Sequence, residues 1–463
     1  MRKEQEDLRI SAYTSLSLNM TIELKVEVVA KETIRPSSPT PDHLKNFNFS
    51  VFDQLSPILY TSVLLFYTSH ASASSPRHRS SHLKSSLSKA LARFYPLAGR
   101  IRDNLYIDCD DGGAEFVDAK VNCHISHILD RPCPVSLCKL LPIDTESPEA
   151  STGRLLLVQA NAFGCGGLAV GICVSHKIAD ASTLTTFIKA WSAAAHLGDA
   201  IVGIEIPPLD MASARFPPLV ELAAISAMVV LPKARCVTRR YVLDPAKITP
   251  LAASEAVPEP TQVEAVAALV WRRVACASRK NNPGRQSLLS QAVNLRGRLP
   301  EPLPQTTVGN FVGGFKVEIP SQAEEREMEL KKLVSDMREA KREYFDNYTP
   351  RLTGGEASCM TIVEAATKFG TLINSGAVDF YNCSSWCGFG LYKAADFGWG
   401  TPAWVSSVGV EYKNSIVLVD ARGGGMIEVW LTLSQADMDS LDADEELLRF
   451  ASLNPSVSGS CIA

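Results

Sequence analysis

The chain has 463 residues, 46% hydrophobic and 21% charged, with a formal net charge of −4. One hydrophobic core stops growing near ~250–300 residues, so this length implies two domains. The small negative balance excludes a general electrostatic pull toward nucleic acid or anionic membrane. The longest apolar runs, 58–67 and 222–231, have about half of the ~20 residues that span a bilayer, which excludes a transmembrane segment there.

In chain order, residues 1–19 lack an apolar h-region, and their acidic residues argue against a transit peptide. Met20 opens the alternating segment MTIELKVEVV. Residues 1–19 are therefore read as a disordered extension, and the protein as cytoplasmic. Alternation over 24–29 predicts a strand, followed by the Pro/Ser loop PSSPTPDHL. Residues 83–95 place Leu83, Leu87, Leu91 and Phe94 at helical spacing, and Pro96 stops the helix. Short strands are predicted at 105–108 and 114–117, across the turn DDGG. The segments 155–163 and 168–174, joined by GCGG, read as strand, tight turn, strand. A helix then begins near Asp180, with Leu184, Phe187, Ile188 and Trp191 on one face and Asp180 or Ser182 as N-cap.

Between 205 and 235 the text turns Pro-rich (IPPLD, FPPLV, LPK) and reads as a linker between an N-terminal half, 20–204, and a C-terminal half, 236–463. Beyond it, 261–275 is a predicted helix with a Val263, Val266, Val270, Val274 stripe. Residues 324–344 read as a long charged amphipathic helix. A hairpin joins 416–420 to 426–433 through Gly423–Gly425. The whole is a mixed α/β protein of two comparable halves.

Few motifs carry chemistry. GCGGLA (164–169) matches G-x-G-x-x-(G/A), but a dinucleotide site needs a helix after the turn, and LAVGICV is strand-like. Cys123, His124 and His127 could ligate metal, yet no second cluster stands at suitable spacing, so no metal site is assigned. No GxSxG, GxxxxGK(S/T) or HExxH occurs. There remains VSHKIADAS (174–182). Its His176 sits between a predicted buried strand and a helix, flanked by Val174 and Ile178. A lone HxxxD is compatible with a structural histidine. In this setting it is also compatible with a general base, since a neutral imidazole accepts a proton near pH 7.

His176-Lys177-Ile178-Ala179-Asp180 together with Asp396-Phe397-Gly398-Trp399-Gly400 resembles the plant BAHD acyltransferases, which move an acyl group from coenzyme A to an alcohol or amine. FYPLAGR (94–100), NLRGR (294–298), VGNF (308–311) and SSW (384–386) agree, and the likeness runs from Met20 to the C-terminus. HKIAD and LKVEVVAKETIRPSSPTP are similar to the vinorine-synthase-like branch. The resemblance implies two chloramphenicol-acetyltransferase-like domains joined by a crossover loop, with an active-site channel between them. It implies an acyl-CoA co-substrate, acetyl-CoA foremost, a small alcohol acceptor, no bound cofactor, and a monomer without nucleic-acid or membrane partners. An amine acceptor or a catalytically weak ligand-binding relative are its alternatives.

The resemblance also assigns roles. His176 is the general base, and Ser384 and Trp386 are the oxyanion donors. Asp180 is paired with Arg296 to aim the histidine. Asn310 and the loop Asp396, Gly398, Trp399, Gly400 are structural, with Asp396 in a buried ion pair. Three departures from the family text stand out. Thr401 follows DFGWG where Lys or Arg is usual, Gly388 replaces the Arg of WCRF, and 392–396 is one residue longer.

Overall fold

The computed structural model describes residues 23–68, 75–197, 209–223, 236–408 and 412–457. The expected extension 1–19 and most of the expected linker lie outside the described residues. Of the linker, 209–223 is described and holds the short helix Met211–Arg215.

Two mixed sheets organise the chain. The strands are β1 (Val26–Ile34), β2 (Tyr60–Tyr67), β3 (Ala114–Val121), β4 (Leu156–Phe163), β5 (Leu168–Ser175), β6 (Cys236–Leu243), β7 (Gln286–Asn294), β8 (Val312–Ile319), β9 (Val378–Ser385), β10 (Trp404–Ser406), β11 (Ser415–Asp420), β12 (Ile427–Ser434) and β13 (Ala451–Leu453). The first sheet runs β1-β3-β4-β5-β2-β10, and the second β8-β7-β9-β11-β12-β6-β13. Helices α1 (Val51–Leu55), α2 (Pro76–Arg93), α3 (Ala181–Leu197), α4 (Gln262–Asn281), α5 (Leu330–Glu343) and α6 (Gly355–Asn374) pack around them.

The central strands of the first sheet are covered on both faces. Every residue of β2 and β5 is buried, which is why their text is a continuous apolar run and not an alternating one. On one face, Leu83, Leu87 and Leu91 of α2 meet Leu184, Phe187 and Trp191 of α3 in a single core. The Trp191 indole N–H there finds the Leu83 carbonyl at 3.2 Å. The turn at 164–167 joins β4 to β5 as an antiparallel hairpin, with Gly166 at φ +82°. A strand, not a helix, follows this glycine text, so no helix N-terminus meets a pyrophosphate there.

In the second sheet, α4 starts in a capping box between Thr261 and Glu264 and packs against α5. The helix expected over 324–344 begins only at Leu330, because Glu325–Met328 forms a 3-10 turn ahead of it. Its far end passes into a π-turn, Tyr344–Tyr348.

The chain order does not assign every strand to its own half. β10, late in the chain, pairs antiparallel with β2 and so completes the first sheet. Trp404 of β10 then bolts the layers together. Its indole N–H donates to Glu428 of β12 at 3.1 Å, and Glu428 takes a two-pronged ion pair from Arg240 of β6 at 2.8 and 2.7 Å. Among the described residues, no helix is long and apolar enough to cross a membrane.

Candidate active site

A cavity of about 830 Å³ lies between the sheets. The N-terminal half contributes Phe52, Leu55, Tyr60, Thr61 and His176 to its wall. The second sheet contributes Ser290, Asn294, Phe315, Ser384 and Trp386, and the α5–α6 region adds Tyr344, Tyr348 and Phe369. The wall mixes aromatic and aliphatic side chains with Ser, Thr and Asn side chains and the charged Lys316 and Glu343, so a bound molecule meets both apolar surface and hydrogen-bonding groups.

His176 stands where β5 ends and before α3 begins. Its backbone N–H donates to Leu59 at 2.9 Å, and its carbonyl accepts from Asn310 Nδ2 at 2.8 Å. The main chain on either side of the ring is thus fixed. Val174 and Ile178, its apolar flanks, are fully buried. Burial pushes the imidazole below its ordinary value, so the ring is neutral near pH 7 and able to take a proton.

Asp180, beside His176 on the same wall, has its carboxylate taken up by other groups. Its carboxylate receives Arg296 on both oxygens, at 2.7 and 3.1 Å. It also accepts the Thr183 N–H at 2.8 Å, which makes Asp180 the N-cap of α3, and the Phe311 N–H at 3.1 Å. Burial alone would raise this carboxyl. The Arg296 guanidinium and the two backbone donors outweigh it and hold the group below the usual carboxylate range. Arg296 is itself wholly buried and donates further to the carbonyls of Thr307 and Gly309.

Sequence reasoning missed a second buried carboxylate, Asp53. Its Oδ1 accepts the backbone N–H of Asn310 at 2.8 Å and Asn310 Nδ2 at 2.9 Å; its Oδ2 accepts from Ser50. The local signal was present, since Ser50 and Asp53 form the capping box of α1. The contact to Asn310, 257 residues away, has no local signal. Lys177 was missed as well. Its ammonium donates to the carbonyls of Gln54 and Ser56, at 2.7 and 3.1 Å, and burial lowers it to about 8. The VGNF segment therefore lies along the His176 turn, bridged at Ala179–Gly309 and held by carboxylates on both sides.

Ser384 near the end of β9 and Trp386 just past it line the same cavity as His176. The Trp386 backbone N–H is tied to Leu418 at 2.8 Å. Gly388, at φ +82°, donates its N–H to Asp420, and neither it nor Thr401 is among the described lining residues. Those two departures therefore lie off the described cavity wall. The π-turn brings Tyr344 onto β8, where a Cβ at Gly313 would collide with the Tyr344 hydroxyl.

The DFGWG loop stands apart from the cavity, against the first core. Phe397 is buried and packs edge-on to Trp191 at 4.8 Å, and Trp399 packs on Tyr67 at 5.9 Å. The buried ion pair expected at Asp396 is absent. Its half-buried carboxylate accepts the N–H groups of Gly398 and Gly400, at 2.9 and 3.0 Å, and stands 3.4 Å from His196, which is 45% exposed. Positive φ at both glycines, +102° and +95°, turns those N–H groups inward, so the loop satisfies its own aspartate.

A histidine on the wall of a cavity between two sheets is a residue type and a setting compatible with group transfer. The comparisons supply the class. The family model described as the transferase family matches residues 24–448. Akuammiline synthase 1 of Alstonia scholaris is 38% identical over 430 residues, 92% of this chain and 97% of that one. Epi-neemfruitin B 7-O-acetyltransferase of Melia azedarach is 35% identical, over 94% and 100%. The crystal structure of vinorine synthase superposes with a TM-score of 0.79 at 31% identity, covering 94% and 100%. The chain belongs to this family, the BAHD acyltransferases, and is an acyl-CoA-dependent acyltransferase.

Proposed function

We propose that the protein transfers an acetyl group from acetyl-CoA to a hydroxyl of a plant specialised metabolite, as a cytoplasmic monomer with no bound cofactor. The observation that carries this reading is His176: neutral, anchored through its main chain, and on the wall of the inter-sheet cavity. His176 takes the proton of the acceptor hydroxyl while that oxygen attacks the thioester carbonyl. The new C–O bond gives a tetrahedral oxyanion, for which the Ser384 hydroxyl and Trp386 indole N–H are the donors. The C–S bond then breaks, and the proton on His176 passes to the departing thiolate. Both substrates are bound together throughout, and no acyl-enzyme forms. Asp180 and Arg296 hold the turn.

The same reading divides the chain into an N-terminal domain, 20–204, a crossover, 205–235, and a C-terminal domain, 236–463. The acceptor is a small molecule with a reactive hydroxyl, in keeping with a cavity of about 830 Å³ whose wall carries both aromatic and polar side chains.

The test is release of free CoA from acetyl-CoA against matched panels of alcohols and amines. Turnover with alcohols is expected. His176→Ala should lower kcat by ~10²–10⁴-fold, the usual worth of a general base. Wild-type turnover in that variant refutes the base. Turnover confined to amines makes the protein an N-acyltransferase, and CoA binding without any turnover makes it a ligand-binding relative.

A further inference from the structure

We propose that Asp53 is a positioning residue that acts through Asn310 to keep the proton of neutral His176 on Nδ1, leaving Nε2 free to act as base; this rests on the acyl-transfer reading above. Asn310 Nδ2 carries two hydrogens, and two acceptors face it: Asp53 Oδ1 at 2.9 Å and the His176 carbonyl at 2.8 Å. Neither can donate. A flipped amide would set its oxygen against a carboxylate and a carbonyl, so the amide has one orientation.

Asp53 enforces that orientation because its own bonding is complete. Fully buried, its carboxylate meets four donors: the Asn310 N–H at 2.8 Å, Asn310 Nδ2, and the Ser50 N–H and hydroxyl at 2.9 and 2.6 Å. Burial pulls this carboxyl upward against the pull of its donors, but Oδ1, which takes both the Asn310 N–H and Asn310 Nδ2, is an acceptor. Asp53 is not among the described residues that line the cavity, so it acts only through its neighbour.

With the amide fixed, Asn310 Oδ1 is an acceptor that is buried and has no partner. His176 Nδ1 is likewise buried and makes no bond of good hydrogen-bond geometry, with its own carbonyl and the Asn310 side chain as the groups it interacts with. Buried polar atoms are nearly always paired, because an orphan gives up its water and gets nothing in return. These two belong to residues already joined by the Asn310 Nδ2 to His176 carbonyl bond. A hydrogen bond from Nδ1–H to Oδ1 satisfies both. It requires the proton on Nδ1, which places the lone pair on Nε2.

The tautomer is read directly by NMR of the full chain labelled with ¹⁵N-histidine, at a pH where the ring is neutral. The His176 signals are assigned by their loss in His176→Ala. A protonated, pyrrole-type Nδ1 and a pyridine-type Nε2 are expected. A proton on Nε2 in the wild-type protein overturns the proposal, and does so whether or not the protein turns over any acceptor. In Asp53→Ala and Asn310→Ala the tautomers should mix, and kcat should fall by about 10²-fold. KM for acetyl-CoA should stay within about two-fold, as for a loss felt only in the transition state. A folded Asp53→Ala variant with unchanged tautomer and kcat overturns the role of Asp53. Even if neither variant folds, a wild-type proton on Nε2 overturns the proposal.

Discussion

The His176 turn and the DFGWG loop are the two most readable motifs of this chain, and they are held in opposite ways. The turn is held from far away. Asp53, Arg296 and Asn310 reach it from three other segments, and the groups that bind it are buried carboxylates, amides and a guanidinium. The loop holds itself, with two of its own N–H groups on Asp396 and two aromatic rings laid on the first core. Directional polar bonds fix the angle of a side chain, whereas apolar packing fixes only where a segment rests. The difference suits a turn that must aim an imidazole and a loop that must cover a sheet.

Breaking the turn should have the largest effect. Asp180→Ala leaves the fully buried Arg296 charge unpaired, which typically costs ~3–5 kcal/mol. Urea unfolding should show a loss of that size, and activity should fall with it. Arg296→Ala should do the same, and the double variant should lose less than the sum of the two. Additive losses would mean that the pair is not a unit.

In the loop, Phe397→Ala opens a cavity in the first core, and a buried Phe→Ala change costs ~3–5 kcal/mol. Here the expectation separates stability from rate: the folded fraction should keep wild-type kcat. A fall in kcat without a fall in stability would give the loop a part in the chemistry. Asp396→Asn sharpens the contrast further. The amide oxygen still accepts the glycine N–H groups, and only the attraction to half-exposed His196 is lost, so the cost should stay below ~1 kcal/mol.

The smallest effect concerns pH. The rate requires neutral His176, so kcat/KM rises with pH through the imidazole pKa. Burial places that value below the ordinary ~6.5, so lowering the pH from 8 to 6.5 should cost less than about two-fold. A half-maximal rate above pH 7 would contradict a desolvated histidine.

Much of this was legible in the sequence because it is local. The β4–β5 hairpin, the helix after Asp180 and the capped start of α4 each follow from periodicity and cap residues within a dozen positions. The same locality explains the errors. The charged stripe of 324–344 is continuous, but the chain enters α5 through a 3-10 turn that the stripe does not mark. The aspartate of DFGWG reads as one that needs a cation, and the glycines that answer it do so only through their positive φ.

By itself, then, the sequence determined the strand-turn-helix that carries His176, the two-halved α/β composition and the motif pair that marks the family. Each is written in neighbouring residues. Only the tertiary structure decided that β10 closes the first sheet, that the π-turn delivers Tyr344 to the cavity, and that Asp53 meets Asn310 across 257 residues. Such pairings are chosen by which surfaces bury together, and a contact between distant segments leaves no period in either of them.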